Sequence, residues 1–213
     1  MIRRLSPRAE FFLVIGIAFG YFVVTSTVAL MMKVGELRMT PGRVVRAILT
    51  ELLILTIIGA ILHARGWDWS KLTRPISIGA VVSGVPLFLL TYIFYFAASM
   101  VVYSINGSVP RGGMKMIPAA PFWLLAILIV LNSVFEEVTV TGYVVTALSP
   151  PGAALSITAS TLLRFLYHLY QGPVASIWVL PLGLVYAAVY FQWRNLWPLM
   201  TAHTITNLIA LSA

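Results

Sequence analysis

An all-α, polytopic transmembrane bundle of about seven to eight helices is the fold class this sequence predicts, on three observations. Sixty per cent of the 213 residues are hydrophobic. Only nine per cent are charged, against about 25% in a soluble globular domain. Apolar stretches of about 20 residues, enough to cross a hydrocarbon core of roughly 30 Å as helix, recur along the whole chain. Lipid, rather than water, is the main solvent for such a composition.

Seven stretches follow one another, at about 11 to 32, 45 to 63, 76 to 103, 121 to 147, 153 to 170, 174 to 190 and 196 to 212. The first follows Arg3, Arg4 and Arg8, the kind of basic flank that precedes a secretory leader. Its length of about 22 residues exceeds a signal core of 7 to 15, and no small-residue cleavage site follows, so it reads as a retained first helix. The second carries Glu51 and His63, which belong to no motif. Glu51 reads as an interhelical hydrogen-bonding or substrate-gating residue. Trp67 and Trp69, in the turn at 65–75, suit head-group depth. The third and fourth stretches exceed one crossing, which predicts a tilt, a kink or an extra short helix in each. The connections at Lys33–Pro41 and Asn106–Pro121 have real length, but neither reads as a folded domain. Without an internal repeat, residues 1–213 form one membrane domain.

The formal net charge of +8 does not point to nucleic acid, because the basic residues sit in short connections between apolar spans. There they meet anionic lipid head groups and orient the chain. Arg3, Arg4 and Arg8 lean towards a cytoplasmic N terminus, but Lys33, Arg38, Arg43 and Arg46 in the next loop leave the orientation open. The absence of cysteine excludes disulfides, thiolate metal sites and a cysteine nucleophile.

The chemistry gathers in 121–213, where the only Asp, Glu, Lys, Arg or His residues are Glu136, Glu137, Arg164, His168, Arg194 and His203. All but Arg194 fall inside predicted spans, where an ionisable side chain costs about 2.5–3.5 kcal/mol and needs a partner or a function. Glu136 and Glu137 lie mid-span in LNSVFEEVTVTGY. Successive helical residues are about 100° apart, so one carboxylate can face the interior while the other braces it. One of the pair can act as a general base that takes a proton from water; the alternative is a buried structural pair. His168 sits in LLRFLYHLYQG, and His203 shares a helical face with Asn207 four residues on. Together these groups can hold a water, directly or on a divalent metal. Two His and one Glu, here His168, His203 and Glu136, form a common zinc set, whereas Asn207 better suits water or an oxyanion. Other intramembrane protease chemistries are absent: Asp68 is the only aspartate, HExxH does not occur, and Ser83 in VVSGV makes no GxSG motif.

In order and spacing these residues resemble the CAAX protease and bacteriocin-processing (Abi) family of intramembrane peptidases, whose pattern is EExxxR, FxxxH and HxxxN on membrane helices. EEVTVT begins at Glu136, His168 closes the second motif, and His203 and Asn207 match the third. The resemblance covers about residues 121–213. It implies that Glu136 activates water, that Glu137 supports it, and that His168, His203 and Asn207 bind the water or a metal and steady the oxyanion. It also implies a membrane-associated protein or peptide substrate, lipidated in eukaryotic members, and a multi-pass place in the membrane of a prokaryotic cell. Two positions depart from the pattern: Thr141 stands where Arg is expected, and Arg164 stands where Phe is expected. Arg164, one turn before His168, is expected to supply the missing guanidinium across the helix interface, the alternative being that it snorkels to the surface. Gly142 is expected to allow close helix approach, and Gln171 with Gly172 to form a turn. A scaffold that binds without turnover, as an immunity protein does, and an ion-coupled transporter are the competing functions.

Overall fold

The computed structural model describes residues 5–108, 114–172, 176 and 179–212. Arg3 and Arg4, part of the 106–121 connection and the start of the 174–190 stretch lie outside them. Among the described residues there are seven principal helices: α1 (Pro7–Met31), α2 (Pro41–Ala64), α3 (Ile78–Ile105), α4 (Phe122–Leu148), α5 (Ala153–Tyr167), α6 (Val179–Trp193) and α7 (Trp197–Ser212). The polytopic helical class is therefore as the composition requires.

Local chemistry starts these helices where they start. Ser6 caps α1 by accepting the Ala9 N–H at 3.2 Å, and Pro7 follows in the first turn, where its missing donor costs nothing. Ser77 caps α3 in the same way, from the Ala80 N–H at 3.1 Å. The outer faces of α1 to α3 present Phe12, Leu53 and Ile93 at 60–72% exposure, which is tolerable only against lipid.

Helices α1 to α4 are long and apolar enough to span a bilayer. Helices α5 and α7 run only 15 and 16 residues, shorter than the spans expected from hydropathy. At 1.5 Å per residue each covers about 22–24 Å, less than a full hydrocarbon core. Helix α5 stops early because His168 leaves helical backbone geometry. A 3-10 turn at Leu169–Gln171 follows, and Gly172 then adopts φ +89°, a conformation that favours glycine. The turn expected at Gln171 and Gly172 is present.

Each of the two overlong stretches departs from regular α-helix along its length. Helix α3 breaks its regular pattern at Ser83, and at Gly84 the chain runs against α7. A Cβ on Gly84 would lie 2.4 Å from Thr201 Cβ and 2.7 Å from the Pro198 carbonyl. Helix α4 carries a seven-residue π segment, Glu137–Tyr143. Four residues of that segment, Val138 to Thr141, are β-branched and crowd an α-helix. The wider turn leaves backbone groups to satisfy, and the Ser160 hydroxyl donates to the Val140 carbonyl at 2.8 Å.

Two strands absent from the all-α expectation, β1 (Glu36–Met39) and β2 (Lys115–Pro118), pair in parallel and tie the α1–α2 and α3–α4 connections together. Each is four residues long; β1 alternates polar and apolar residues, but four positions are too few to announce a strand.

Helix α4 is the axis of the molecule. One apolar core joins Val14, Phe19 and Ile58 of α1 and α2 to its Phe135 and Tyr143. A second joins Leu87 of α3, Tyr186 of α6 and Leu199 of α7 to its Val145. Between the two cores lies the polar centre.

Candidate active site

From Phe135 to Val145 only Val138 escapes full burial, so the carboxylates of α4 must find their partners within protein. They find them on α5 and α7. Arg164 is 1% exposed and does not reach the surface. Its Nη1 donates to Glu136 Oε2 at 3.0 Å, and its Nη2 donates to Glu137 Oε1 at 2.8 Å and to Thr141 Oγ1 at 3.1 Å. The guanidinium also lies 5.8 Å from the centroid of the Tyr186 ring. One cation thus bridges two adjacent carboxylates. It does so beside position 141, where the resemblance led us to expect an arginine on α4 itself.

The two glutamates differ in what they have left. Glu137 Oε1 accepts from Arg164 and from His203 Nδ1 at 2.8 Å, and Oε2 accepts the Thr141 hydroxyl at 2.7 Å. Its side chain is wholly enclosed, with 0% exposure. Glu136 concentrates its bonds on Oε2, which accepts from Arg164 and from the Tyr167 hydroxyl. Its Oε1 has no hydrogen-bond partner among the described residues, and the side chain keeps 7% exposure. Of the pair, only Glu136 has an oxygen to offer a water.

Both imidazoles have one nitrogen fixed. His168 Nδ1 meets the Arg164 carbonyl oxygen at 2.8 Å. A carbonyl only accepts, so Nδ1 carries the proton and Nε2 of the neutral ring carries the lone pair. His203 Nδ1 meets the Glu137 carboxylate, which imposes the same tautomer. Its Nε2 stands 3.9 Å from Glu136 Oε2, beyond direct hydrogen-bond reach. Asn207 donates through Nδ2 to Asn132 Oδ1 at 3.5 Å.

Arg164, His168, His203 and Asn207 line one cavity of about 480 Å³. Its other walls are mostly apolar or aromatic, with Phe88, Tyr92 and Tyr95 from α3 and Leu182 from α6, and Thr91, Gln171 and Thr206 add polar groups. The carboxylates do not line it; Arg164 touches both of them, and His203 touches Glu137. The structure thus brings Glu136, Glu137, Thr141, Arg164, His168, His203 and Asn207 into one polar centre with an apolar approach. Gly142 sits where a Cβ would come within 3.2 Å of Leu196, the close approach expected of it.

Residues 118–209 match the family model for type II CAAX prenyl endopeptidase Rce1-like proteins. Over this segment, less than half of its length, the chain is similar to the CAAX protease and bacteriocin-processing family. All seven residues above fall within it, whereas α1 to α3 lie outside it. No curated protein and no solved structure matches the chain. The CAAX-protease family is one of intramembrane endopeptidases, and with four membrane-capable helices the chain is an integral membrane protein.

The metal set expected from sequence does not assemble in this CAAX-protease-like segment. Glu136 Oε2 is occupied by two donors, and among the described residues no three His, Asp or Glu side chains stand close enough to share an ion. Glu136, His168 and His203 therefore do not fit a divalent metal as arranged.

Two participants escaped the motif reading. Tyr167 holds Glu136 although it precedes the histidine of its motif by one residue. Asn132 bonds both Asn207 and Glu51. The signal for each was helical spacing: Tyr167 lies three residues after Arg164, and Asn132 lies four before Glu136, on the same faces as groups already singled out.

Proposed function

We propose that the chain hydrolyses a peptide bond of a membrane-associated protein or peptide, with Glu136 as the general base. What supports this reading is the asymmetry of the glutamate pair. Arg164 and Tyr167 hold one oxygen of Glu136 in place while the other is left without a protein donor.

In this mechanism Glu136 Oε1 takes a proton from water as the water oxygen attacks the scissile carbonyl carbon. The Nε2 lone pair of His203, on the side of Glu136, accepts the water's other O–H and fixes its position, and His168 lines the cavity beside it. Asn207, with a second N–H on Nδ2, donates to the oxyanion that forms. When the tetrahedral intermediate collapses, Glu136 returns the proton to the leaving amine, so no net proton is consumed. Glu137 is enclosed away from the cavity and holds His203 in register, while Arg164, which reaches the cavity wall, holds Glu136. The apolar wall from Phe88 to Tyr95 suits a substrate that approaches from lipid, including one anchored by an attached lipid chain.

The test compares protein termini in membranes from cells expressing the wild type or Glu136→Gln, at matched levels of folded protein. Termini present only with the wild type are the expected result and would identify the substrates. Identical sets would overturn peptidase activity and favour a scaffold that binds without turnover.

A further inference from the structure

Glu51 lies on α2, outside the matched segment and outside every motif, yet it is only 4% exposed. Its Oε1 accepts from Asn132 Nδ2 at 2.9 Å, and its Oε2 is buried with no hydrogen-bond partner among the described residues. A carboxyl half-satisfied in a protein interior costs stability that a leucine, as at Leu52 and Leu53 beside it, would not. What the carboxyl supplies is direction. An amide has a donor end and an acceptor end, and a lone Asn132 could turn either one towards α7. Glu51 Oε1 accepts from it whether or not Oε2 carries a proton. That bond turns the Asn132 N–H end towards α2 and its carbonyl towards Asn207, whose Nδ2 then donates to it at 3.5 Å.

We infer that Glu51 is a positioning residue for the hydrolytic site: through Asn132 it sets the orientation of the Asn207 amide that faces the cavity. The inference rests on the peptidase reading above. With the chain Glu51–Asn132–Asn207 polarised in this sense, Asn207 gives one N–H to Asn132 and keeps its oxygen and its second N–H for the reacting groups. Reversal would spend the Asn207 oxygen on Asn132 and change what the cavity meets. Three helices, α2, α4 and α7, are tied by these two bonds, so α2 contributes to a site whose motifs all lie elsewhere.

The experiment follows the rate at which Glu136-dependent termini appear in membranes, with melting temperature and folded amount measured alongside. Glu51→Gln keeps the size of the side chain but can present either end of its own amide, which removes the directional constraint. It is expected to slow their appearance about tenfold without a matching loss of melting temperature. Asn132→Leu is expected to slow it similarly and reads the chain from its middle if Glu51→Gln fails to fold. Combining the two should cost no more than the worse single change, because the second acts only through the first. Wild-type rates in both single variants, multiplied losses in the double variant, or a rate loss explained by melting alone would overturn the inference. A wild type that yields no Glu136-dependent termini overturns the peptidase reading instead, and the inference falls with it.

Discussion

Among the described residues, Arg164 is the cation bonded directly to two adjacent enclosed carboxylates. Removing one partner of a buried ion pair costs about 3–5 kcal/mol, because the charge left behind has no water to turn to. Arg164→Ala is therefore expected to lower the yield and melting temperature of the purified protein sharply. Arg164→Lys, whose single ammonium cannot fork between Glu136 and Glu137, should fall between that variant and the wild type. If both variants melt as the wild type does, the bridging role is wrong. The same geometry predicts a rescue: Arg164→Phe alone should fail to fold, and adding Thr141→Arg should restore folded protein, because both side chains address the same space between α4 and α5. Tyr167→Phe removes one hydrogen bond to a carboxylate, worth about 1.5–3 kcal/mol, so steady-state cleavage should fall about 10- to 100-fold while the fold survives. These roles were only partly legible in the sequence. Charged residues inside apolar spans stand out because their insertion is costly. Tyr167 and Asn132 did not stand out, since tyrosine and asparagine at helical positions are common and only their partners make them special.

At the scale of the element, the close approach of α3 and α7 depends on one missing side chain. Gly84→Ala would place a Cβ 2.4 Å from that of Thr201, and overpacking of this kind costs about 1–3 kcal/mol. Thermal unfolding in detergent should show the loss, and Thr201→Gly in the same chain should recover part of it. An unchanged melting temperature in Gly84→Ala would mean that the two helices are not in contact there. The π segment of α4 is the other element-level device. Within it Glu137 and Thr141 meet on one side, and Tyr143 with the following Val144 packs in the first core. Hydropathy indicated that the stretch was too long for one straight crossing but could not distinguish a tilt from a bulge, because both satisfy the same apolar length. The short strands β1 and β2 were missed for a related reason: alternation over only four residues is too brief to separate a strand from a loop.

For the whole molecule, the order of helices predicts that successive connections lie on opposite faces of the membrane. Helix α2 has 24 residues and covers about 36 Å, more than a hydrocarbon core. The chain has no cysteine, so single substitutions report without background. Arg38→Cys, before α2, and Lys71→Cys, after it, should react with a membrane-impermeant maleimide from opposite sides of sealed vesicles. Labelling of both from one side would contradict the crossing. The side that labels Arg38→Cys also settles the orientation that the even spread of basic residues leaves open.

What the sequence determined by itself follows from costs that are local and large. Apolar length fixed the solvent and the number of principal helices, and charged or histidine residues in the fourth, fifth and seventh apolar stretches marked where the chemistry gathers, because neither can be hidden without a partner or a function. What the tertiary structure decided follows from which helix faces which. Only packing could place one arginine between two carboxylates, leave Glu136 rather than Glu137 with an oxygen to spare, and bring Glu51 within reach of Asn132. Those outcomes depend on distances between segments far apart in the chain, and a sequence carries spacing along a helix but not the angle at which two helices meet.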